Sequence, residues 1–283
     1  MAGRREGLTA HVRATVDAGV RVLLTEQITA GRADSPESVH QMRVAARRMR
    51  VALRMARHEL GPDAEQLRAE LSWLGTLLGE VRDLDVLCER LRAEAATLAE
   101  ADLSAFHDIL DELDKARSIA ADALSTALGR PRFRALLRAL AEAAAQPTES
   151  SDGDIPDELL ARPLRALRKA GVGPTPSDED WHNLRIKVKR VRYAAELAGQ
   201  LTGRKRRAEL AELAGQAKAA QEVLGAFHDT VVAEDHLRRL ITTSPHGLSP
   251  AGWLVLGRLV ERQVAHRDAL REQLPAVCGP LTR

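Results

Sequence analysis

Apolar residues recur along most of this chain at spacings of three and four, which is the spacing of one face of an α-helix. No segment shows the strict alternation of apolar and polar residues that is typical of a half-buried β-strand. The pattern therefore predicts an all-α fold. The predicted helices cover residues 5–30, 36–60, 63–98, 102–128, 132–145, 157–170, 177–202, 205–242 and 249–273.

Local residue types predict several helix ends. Ser35-Pro36-Glu37 combines an N-cap, a proline at the first helical position and an acidic residue in the first turn. Gly61-Pro62 is expected to end the second helix. Ser177 followed three residues later by Asp180 has the pattern of a capping box.

The stretch 146–158 is the most polar and turn-rich part of the chain, and it predicts a boundary between two helical halves, 1–150 and 151–283. Two motifs recur in the same order in both halves. VHQMRVAARRMR (39–50) aligns with WHNLRIKVKRVR (181–192), and LLGEVRDLDV (77–86) aligns with VLGAFHDTVV (223–232). The offset between the copies is 142 residues at His40 and His182, and 146 residues at Gly79 and Gly225. The halves are therefore interpreted as a duplicated unit.

In the first copy, an apolar stripe and a basic row run side by side on one predicted helix. The stripe consists of Val39, Met42, Ala46, Met49, Leu53 and Ala56. The row is displaced from it by one residue, about 100° of rotation. It consists of His40, Arg43, Arg47, Arg50, Arg54 and Arg57, with Arg48 beside it.

The second copy repeats this arrangement. Its apolar ridge contains Trp181, Leu184, Val188 and Val191. Its basic row contains His182, Arg185, Lys189 and Arg192, widened by Lys187 and Arg190. Almost no acidic residue stands four positions away to neutralise either row. The symmetry is incomplete, because Ala45 aligns with Lys187 and Arg54 with Glu196, so the two halves are expected to contribute unequally to binding.

The positions of the charged residues are more informative about function than the net charge. The formal net charge of the 283 residues is only +2, so two unmixed basic rows favour a polyanion-binding surface over an ordinary solvated helix face. Only 2% of the residues are aromatic, which leaves few platforms for stacking nucleic-acid bases. The two distant cysteines, Cys88 and Cys278, fit a reducing interior. No secretory signal and no membrane span are expected.

These motifs resemble the CHAD domain, a histidine-bearing α-helical domain. The resemblance rests on VHQMRVAARRMR with LGEVRDLDV, and on WHNLRIKVKRVRYAAEL with LGAFHD. It implies two four-helix bundles of long antiparallel helices, related by a pseudo-twofold axis around a basic central groove. It also implies binding of inorganic polyphosphate and, in bacteria, targeting to polyphosphate granules. Some family members are fused to a triphosphate-tunnel hydrolase domain, but this sequence has no strand-rich segment or ExExK-type stretch to build one.

The site residues have open alternatives. His40 and His182 would either contact phosphoryl oxygen or orient a neighbouring arginine. Asp83 and Asp229 are expected to orient basic residues by ion pairs. Gly79 and Gly225 are expected to permit close approach of two helices. The remaining histidines show no constellation, and no His, Glu or Cys spacing supplies the three or four ligands of a metal site.

The sequence therefore predicts a non-catalytic, cytoplasmic protein that binds inorganic polyphosphate and associates with its granules, without cofactor, metal or membrane partner. It does not indicate protein partners. One alternative is a phosphohydrolase or kinase acting on polyphosphate or nucleotides, which would need clustered carboxylates near the rows. A second is a nucleic-acid-associated basic protein.

Overall fold

The computed structural model describes residues 2–32, 35–55, 57–145, 155–170, 173, 175–243 and 248–282, with side-chain environments for all of these except 2–7, 57–62, 96 and 155–158. The long helices are α1 (Ala2–Gly31), α2 (Pro36–Met55), α3 (Arg57–Glu94), α4 (Leu103–Gly129), α5 (Pro131–Ala145), α6 (Ile155–Lys169), α7 (Asp178–Gln200), α8 (Arg204–Thr243) and α9 (Pro250–Thr282). Short 3₁₀ turns at Ala95–Thr97 and Glu100–Asp102 join α3 to α4. No strand occurs among the described residues, so the all-α prediction is confirmed.

Two predicted helix starts are confirmed by their hydrogen bonds. At the start of α2, the backbone N–H of Ser38 lies 3.4 Å from the hydroxyl of Ser35. At the start of α7, the N–H of Asp180 donates to the Ser177 hydroxyl at 3.2 Å, and the Asp180 carboxylate accepts from the Ser177 N–H at 2.9 Å. The bonds from the Ser177 side chain and backbone lower the pKa of the Asp180 carboxyl.

Two predicted helix ends are wrong. Gly61-Pro62 does not end a helix, because α3, which is described from Arg57, continues through both residues. A proline disturbs a helix least near its start, and Pro62 lies in the second turn of a 38-residue helix. At the other end of the chain, α9 continues beyond residue 273 to Thr282. The buried residues Leu274, Cys278 and Leu281 continue its apolar stripe.

The chain divides into two compact units, each built from separated segments. The N-terminal unit contains Thr9–Glu149 and Ala233–Glu261. The C-terminal unit contains Met1–Leu8, Ser150–Val232 and Arg262–Arg283. Helices α8 and α9 each contribute one part to each unit. The repeat predicts a duplication with boundaries at 1–150 and 151–283 and a pseudo-twofold axis. Both stay predictions.

A core cluster of the N-terminal unit receives residues from α3, α4, α8 and α9. Its buried residues are Leu84, Leu87, Cys88, Leu91, Ala105, Phe106, Ile109, Leu110, Leu113, Ala233, Leu237, Leu240, Leu248, Val255, Leu256 and Leu259. Elsewhere in this unit, Val12, Val16 and Val20 form a buried apolar stripe along α1 at a spacing of four residues. A Cβ atom added to Gly19 would lie 2.5 Å from Sδ of Met49, so this glycine lets α1 approach α2 closely.

The core of the C-terminal unit is formed by α6, α7, α8 and α9. Trp181 is the largest side chain in it and is only 2% exposed. Burying each large apolar side chain of this kind contributes roughly 1.5–3 kcal/mol. The cluster consists of Leu167, Trp181, Leu184, Val188, Val191, Ala217, Ala220, Leu224, Phe227, Leu270, Leu274, Cys278 and Leu281. The ridge predicted for the second copy is therefore confirmed as core. None of the described helices combines the length and apolar character needed to cross a membrane.

Candidate functional site

The first basic row lies along α2 in the N-terminal unit. Val39, Met42, Ala46, Met49 and Leu53 are all buried, so the predicted apolar stripe has the correct phase. Its last predicted member, Ala56, lies outside the described residues. The basic side chains beside that stripe reach solvent to different degrees. His40, Arg43 and Arg54 are half-buried, whereas Arg47, Arg48 and Arg50 are exposed. Arg57 was expected on the same helix but belongs to α3, and its side chain lies outside the described residues.

Helix α3 provides the surface that holds Arg43. A Cβ atom added to Gly79 would lie 2.5 Å from Nη1 of Arg43, so the glycine leaves room for the guanidinium. Nη2 of Arg43 lies 3.3 Å from Oδ1 of Asp83, one helical turn further along α3. The expected role of Asp83, orienting a basic residue by an ion pair, is confirmed. The atoms nearest to an added Cβ at Gly79 belong to the Arg43 side chain of α2, so the expected close approach of two helices at this glycine stays a prediction.

Arg50 lies against the same helix one turn before Gly79. Its Nη1 would be 3.7 Å from a Cβ atom added to Gly75, an ordinary van der Waals contact. The pKa of Arg50 is lowered, first by partial desolvation and second by the positive charge of Arg68 on α3. An anion near Arg50 and Arg68 would relieve that repulsion.

His236 on α8 joins this cluster, although no motif in the sequence indicated it. Its pKa is lowered, chiefly by burial and then by Arg239, while Asp83 and Asp235 act in the opposite direction. Asp83 therefore interacts electrostatically with both Arg43 and His236. Periodicity within α8 cannot show which residues of α3 lie nearby, so sequence patterns alone offered no signal for this electrostatic interaction.

The second basic row lies along α7 in the C-terminal unit. Trp181, Leu184, Val188 and Val191 are buried beside it. Each basic side chain of the row is half-buried; they are His182, Arg185, Lys187, Lys189, Arg190 and Arg192. All twelve predicted site residues thus lie on two helices, six on α2 and six on α7.

Arg192 makes more side-chain hydrogen bonds within its own unit than its counterpart Arg50 does. Its Nε donates to Glu196 at 2.7 Å, and its Nη1 donates to the side-chain oxygen of Gln221 on α8 at 3.3 Å. Glu196 is the acid that aligns with Arg54 in the first copy. The structure therefore shows a physical consequence of the asymmetry noted in the sequence: the end of the second row carries an internal counter-charge.

His182 lies beside a second imidazole, His228 on α8. Their Nδ1 atoms are 3.5 Å apart, and their ring centroids are 4.8 Å apart with the planes tilted by 50°. The first copy has Arg82 at the position that aligns with His228. Gly225, three residues earlier, has no described atom within 4 Å of an added Cβ, so the close helix approach expected there is wrong. The described residues contain no group of three or more His, Cys, Asp or Glu side chains arranged to hold a metal ion.

The helices and rows define an all-α protein with a basic row in each of its two units. The chain belongs to the CHAD domain family, whose model matches residues 14–238. The family expected from the paired motifs is therefore confirmed.

Two solved structures share this fold. The crystal structure of the CHAD domain from the plant Ricinus communis is 26% identical, covers 96% of this chain and 91% of its own, and superimposes with a TM-score of 0.74. PptA from Streptomyces chartreusis is 22% identical, covers 96% of this chain and 98% of its own, and also gives a TM-score of 0.74. At 22% identity, the second likeness concerns the fold alone.

Two curated relatives are uncharacterized proteins of Mycobacterium tuberculosis, from strains CDC 1551 / Oshkosh and ATCC 25618 / H37Rv. Each is 28% identical over 268 residues, which cover 89% of this chain and 49% of the relative. The chain thus spans about half the length of the curated relatives that it matches.

Proposed function

We propose that this protein binds inorganic polyphosphate through the basic rows of α2 and α7, without chemically changing it, and that it associates with polyphosphate granules. The observation that carries the proposal is the sign of the charge along these two helix faces. Each row follows a buried apolar stripe, so folding fixes its direction. The basic groove that the family resemblance implies is part of the same proposal.

The chemistry of the rows suits a chain of phosphates. A guanidinium can donate two parallel hydrogen bonds to one phosphoryl group, and a lysine adds a compact positive charge. An anion bound beside Arg50 would also offset the positive charge of Arg68, which lowers the pKa of Arg50 after partial desolvation. Binding by many such contacts releases counterions and should weaken as salt rises, as it does for nucleic acids.

Binding without catalysis is supported by the ion pairs that acidic residues near the rows form with arginines of the rows. Asp83 is paired with Arg43, and Glu196 is paired with Arg192. Each carboxylate therefore orients or neutralises an arginine instead of joining a second carboxylate around a catalytic metal ion. The alternatives of a polyphosphate- or nucleotide-processing enzyme and of a nucleic-acid-associated protein serve as outcomes of the test below.

Direct binding of long-chain polyphosphate tests the proposal. The titration is made at about 150 mM salt, where the Debye length of about 8 Å screens weak long-range attraction. Duplex DNA and heparin at matched charge serve as competitors. We expect tight binding that DNA fails to displace. Equal displacement by every polyanion would instead identify a general basic surface, and turnover of the polyphosphate would contradict binding without catalysis.

A charge-reversal variant tests whether the rows carry the binding. Arg43, Arg47, Arg185 and Lys189 are changed together to Glu; we expect loss of polyphosphate binding with helicity retained. The matched control changes four exposed basic residues on mixed-sign faces, Arg21, Lys115, Arg206 and Lys218, to Glu. Both variants alter the net charge equally. Equal loss of binding in the two variants would show that overall charge, rather than the rows, governs affinity.

Granule association requires a test in cells that accumulate polyphosphate. A fluorescent fusion of the chain is expected to co-localise with the granules, and the row-reversed variant is expected to spread through the cell. Persistent co-localisation of that variant would show that another surface targets the protein.

A further inference from the structure

A cavity in the C-terminal unit is lined by residues that do not belong to either basic row. Its volume is about 730 Å³, within the range of about 300–1,000 Å³ that is usual for sites that bind small molecules. The wall is formed by Thr175 and Pro176 before α7, by Trp181 near the start of α7 and by the last turns of α9. Trp181 belongs to the apolar ridge, about 100° around the helix from His182, so the basic row does not account for this cavity.

The apolar part of the wall consists of three rings and a thiol. Trp181, Pro176 and Pro275 contribute the rings. Cys278 contributes the thiol, which stays neutral because burial raises its pKa to about 11. Small-molecule sites are lined mainly by such apolar groups, with a few polar groups that fix the orientation of the ligand. This part of the wall therefore suits the apolar body of an organic molecule.

The polar part of the wall offers hydrogen-bond donors. Arg271 on α9 has five N–H groups, of which one donates to Asp268 and one to Asp178, each at 2.6 Å. Its side chain is 38% exposed, so it is accessible to a ligand. The Nε1 atom of Trp181 is a second donor, and it is buried without an acceptor among the described residues.

These donors favour a ligand that brings acceptors. A buried N–H group without an acceptor is unfavourable, and an oxygen atom placed beside it would remove that penalty. The described part of the wall contains no carboxylate, so an anionic group would not be repelled there. Because Asp178 and Asp268 already offset part of the charge of Arg271, a single negative charge suits the cavity better than a polyanion does.

We propose that this cavity binds a small amphipathic organic anion. The apolar body would lie against Trp181, Pro176 and Pro275, and the anionic oxygens would accept hydrogen bonds from Arg271. The unpaired indole N–H of Trp181 is a further donor in the same wall. A chain of phosphates has no apolar body, so this site is separate from polyphosphate binding and does not depend on it.

Two fluorescent probes with the same apolar body test the proposal. 8-Anilino-1-naphthalenesulfonate carries one sulfonate, and N-phenyl-1-naphthylamine lacks it. Each probe is titrated into the full chain at about 150 mM salt, which screens weak long-range attraction. We expect one site per chain for the sulfonate probe, and excess long-chain polyphosphate should leave its affinity unchanged. Displacement by polyphosphate would assign the probe to the basic rows and overturn the site.

The substitution Gly279→Leu tests where the probes bind. Gly279 lines the cavity, and a Cβ atom added to it would meet no described atom within 4 Å, so a larger side chain can enter the free space. Gly257→Leu is the matched control, since an added Cβ at Gly257 likewise meets no described atom and this part of α9 lies in the N-terminal unit. We expect the affinity for both probes to fall at least about tenfold in Gly279→Leu and to stay unchanged in Gly257→Leu. Equal affinity in the wild type and Gly279→Leu would overturn the site.

The substitution Arg271→Gln tests the preference for an anion. We expect the affinity for the sulfonate probe to fall at least about tenfold, because a charge-assisted hydrogen bond is lost, and that for the neutral probe to change less than about twofold. Arg258→Gln is the control, because Arg258 is another arginine of α9 that pairs with an aspartate, Asp102, and it should change neither affinity. Circular dichroism checks that each variant keeps its helicity. An equal loss for both probes in a folded Arg271→Gln would overturn the assignment of an anionic ligand.

Discussion

Arg43 occupies the space left by the missing side chain of Gly79, and its guanidinium pairs with Asp83. The two charged side chains are 33% and 36% exposed, so water screens their attraction. An ion pair of that kind contributes no more than about 1 kcal/mol to stability. Its main consequence is position: the pair keeps one arginine of the row close to α3 while Arg47 remains exposed.

Replacing Gly79 by Ala should show whether this glycine matters for the position of the Arg43 side chain or for the stability of the fold. The added methyl would meet Nη1 of Arg43, which can move because it ends a flexible side chain. We expect polyphosphate affinity to fall by about three- to tenfold, or about 0.7–1.4 kcal/mol. The free energy of unfolding should change by less than about 1 kcal/mol, because the better helix propensity of Ala offsets the lost ion pair. Denaturant unfolding and polyphosphate titration measure the two quantities.

Gly225→Ala is the matched control for that substitution. No described atom lies within 4 Å of its added Cβ, so the helix gains up to about 1 kcal/mol of stability and affinity should not change. If Gly79→Ala destabilised the fold by more than about 2 kcal/mol, Arg43 would have to be a rigid part of the packing.

At the residue scale, the sequence predicted on which side of its helix a residue lies better than which residues of other helices it contacts. The phase of both rows followed from spacing within α2 and α7, whereas Asp83 was expected to pair with a basic residue that the sequence did not identify. The pair His182–His228 and the proximity of His236 to Asp83 depend on how α8 lies against α7 and α3. That register is set by side-chain packing across helices, which the periodicity of one chain does not contain.

At the scale of the elements, the predicted ends were correct where a local hydrogen bond fixes them. Ser35 and Ser177 begin α2 and α7 because their side chains accept backbone N–H groups. The prediction was wrong at Gly61-Pro62, because α3 continues through these two residues although both have a low intrinsic helix propensity. It was also wrong at the end of α9, where Pro275 and Pro280 lie inside the helix. In α9 the burial of Leu274, Cys278 and Leu281 outweighs the unfavourable prolines.

Single aspartates placed in the apolar stripes test the orientation of α2 and α7. Met42 is 0% exposed and Leu184 is 1% exposed. Met42→Asp and Leu184→Asp would each bury a carboxyl group without a partner, and we expect a loss of at least about 3 kcal/mol in the free energy of unfolding. Urea unfolding followed by circular dichroism measures the loss.

The neighbouring exposed positions provide controls on the same helices. Gln41→Asp and Asn183→Asp introduce the same charge one residue earlier, where water solvates it. These two variants should unfold within about 0.5 kcal/mol of the wild type. A core substitution as mild as its control would show that the stripe does not face the interior.

For the whole molecule, the two units are linked by continuous helices. Residues 204–232 of α8 belong to the C-terminal unit and residues 233–243 to the N-terminal unit, without a break in the helix. Helix α9 likewise passes between the units at residues 261 and 262. Loss of one unit would therefore remove the packing surface of helix segments that continue into the other. We expect the two units to unfold together, because a helix that loses its packing surface in one unit becomes less stable in the segment that continues into the other.

The two cysteines report on the units separately. Cys88 is buried in the core cluster of the N-terminal unit, and Cys278 is buried in that of the C-terminal unit. Burial is the main cause that raises the pKa of each thiol from 9.0 to about 11. Because a thiol in the unfolded chain ionises at lower pH than in the fold, the two groups favour the folded state fully below about pH 9, and this contribution declines as pH rises towards 11.

Thiol labelling in increasing urea at pH 8 tests cooperative unfolding of the units. Single-cysteine variants, Cys88→Ser and Cys278→Ser, are exposed to a thiol reagent, and the labelled fraction is measured by mass spectrometry. We expect negligible labelling without urea, because buried thiols with raised pKa values form little thiolate. The midpoints for the two cysteines should coincide with each other and with the loss of helicity. Labelling of Cys278 at clearly lower urea than Cys88, or the reverse, would mean that α8 and α9 fray between the units and that each basic row is held by a unit that folds by itself.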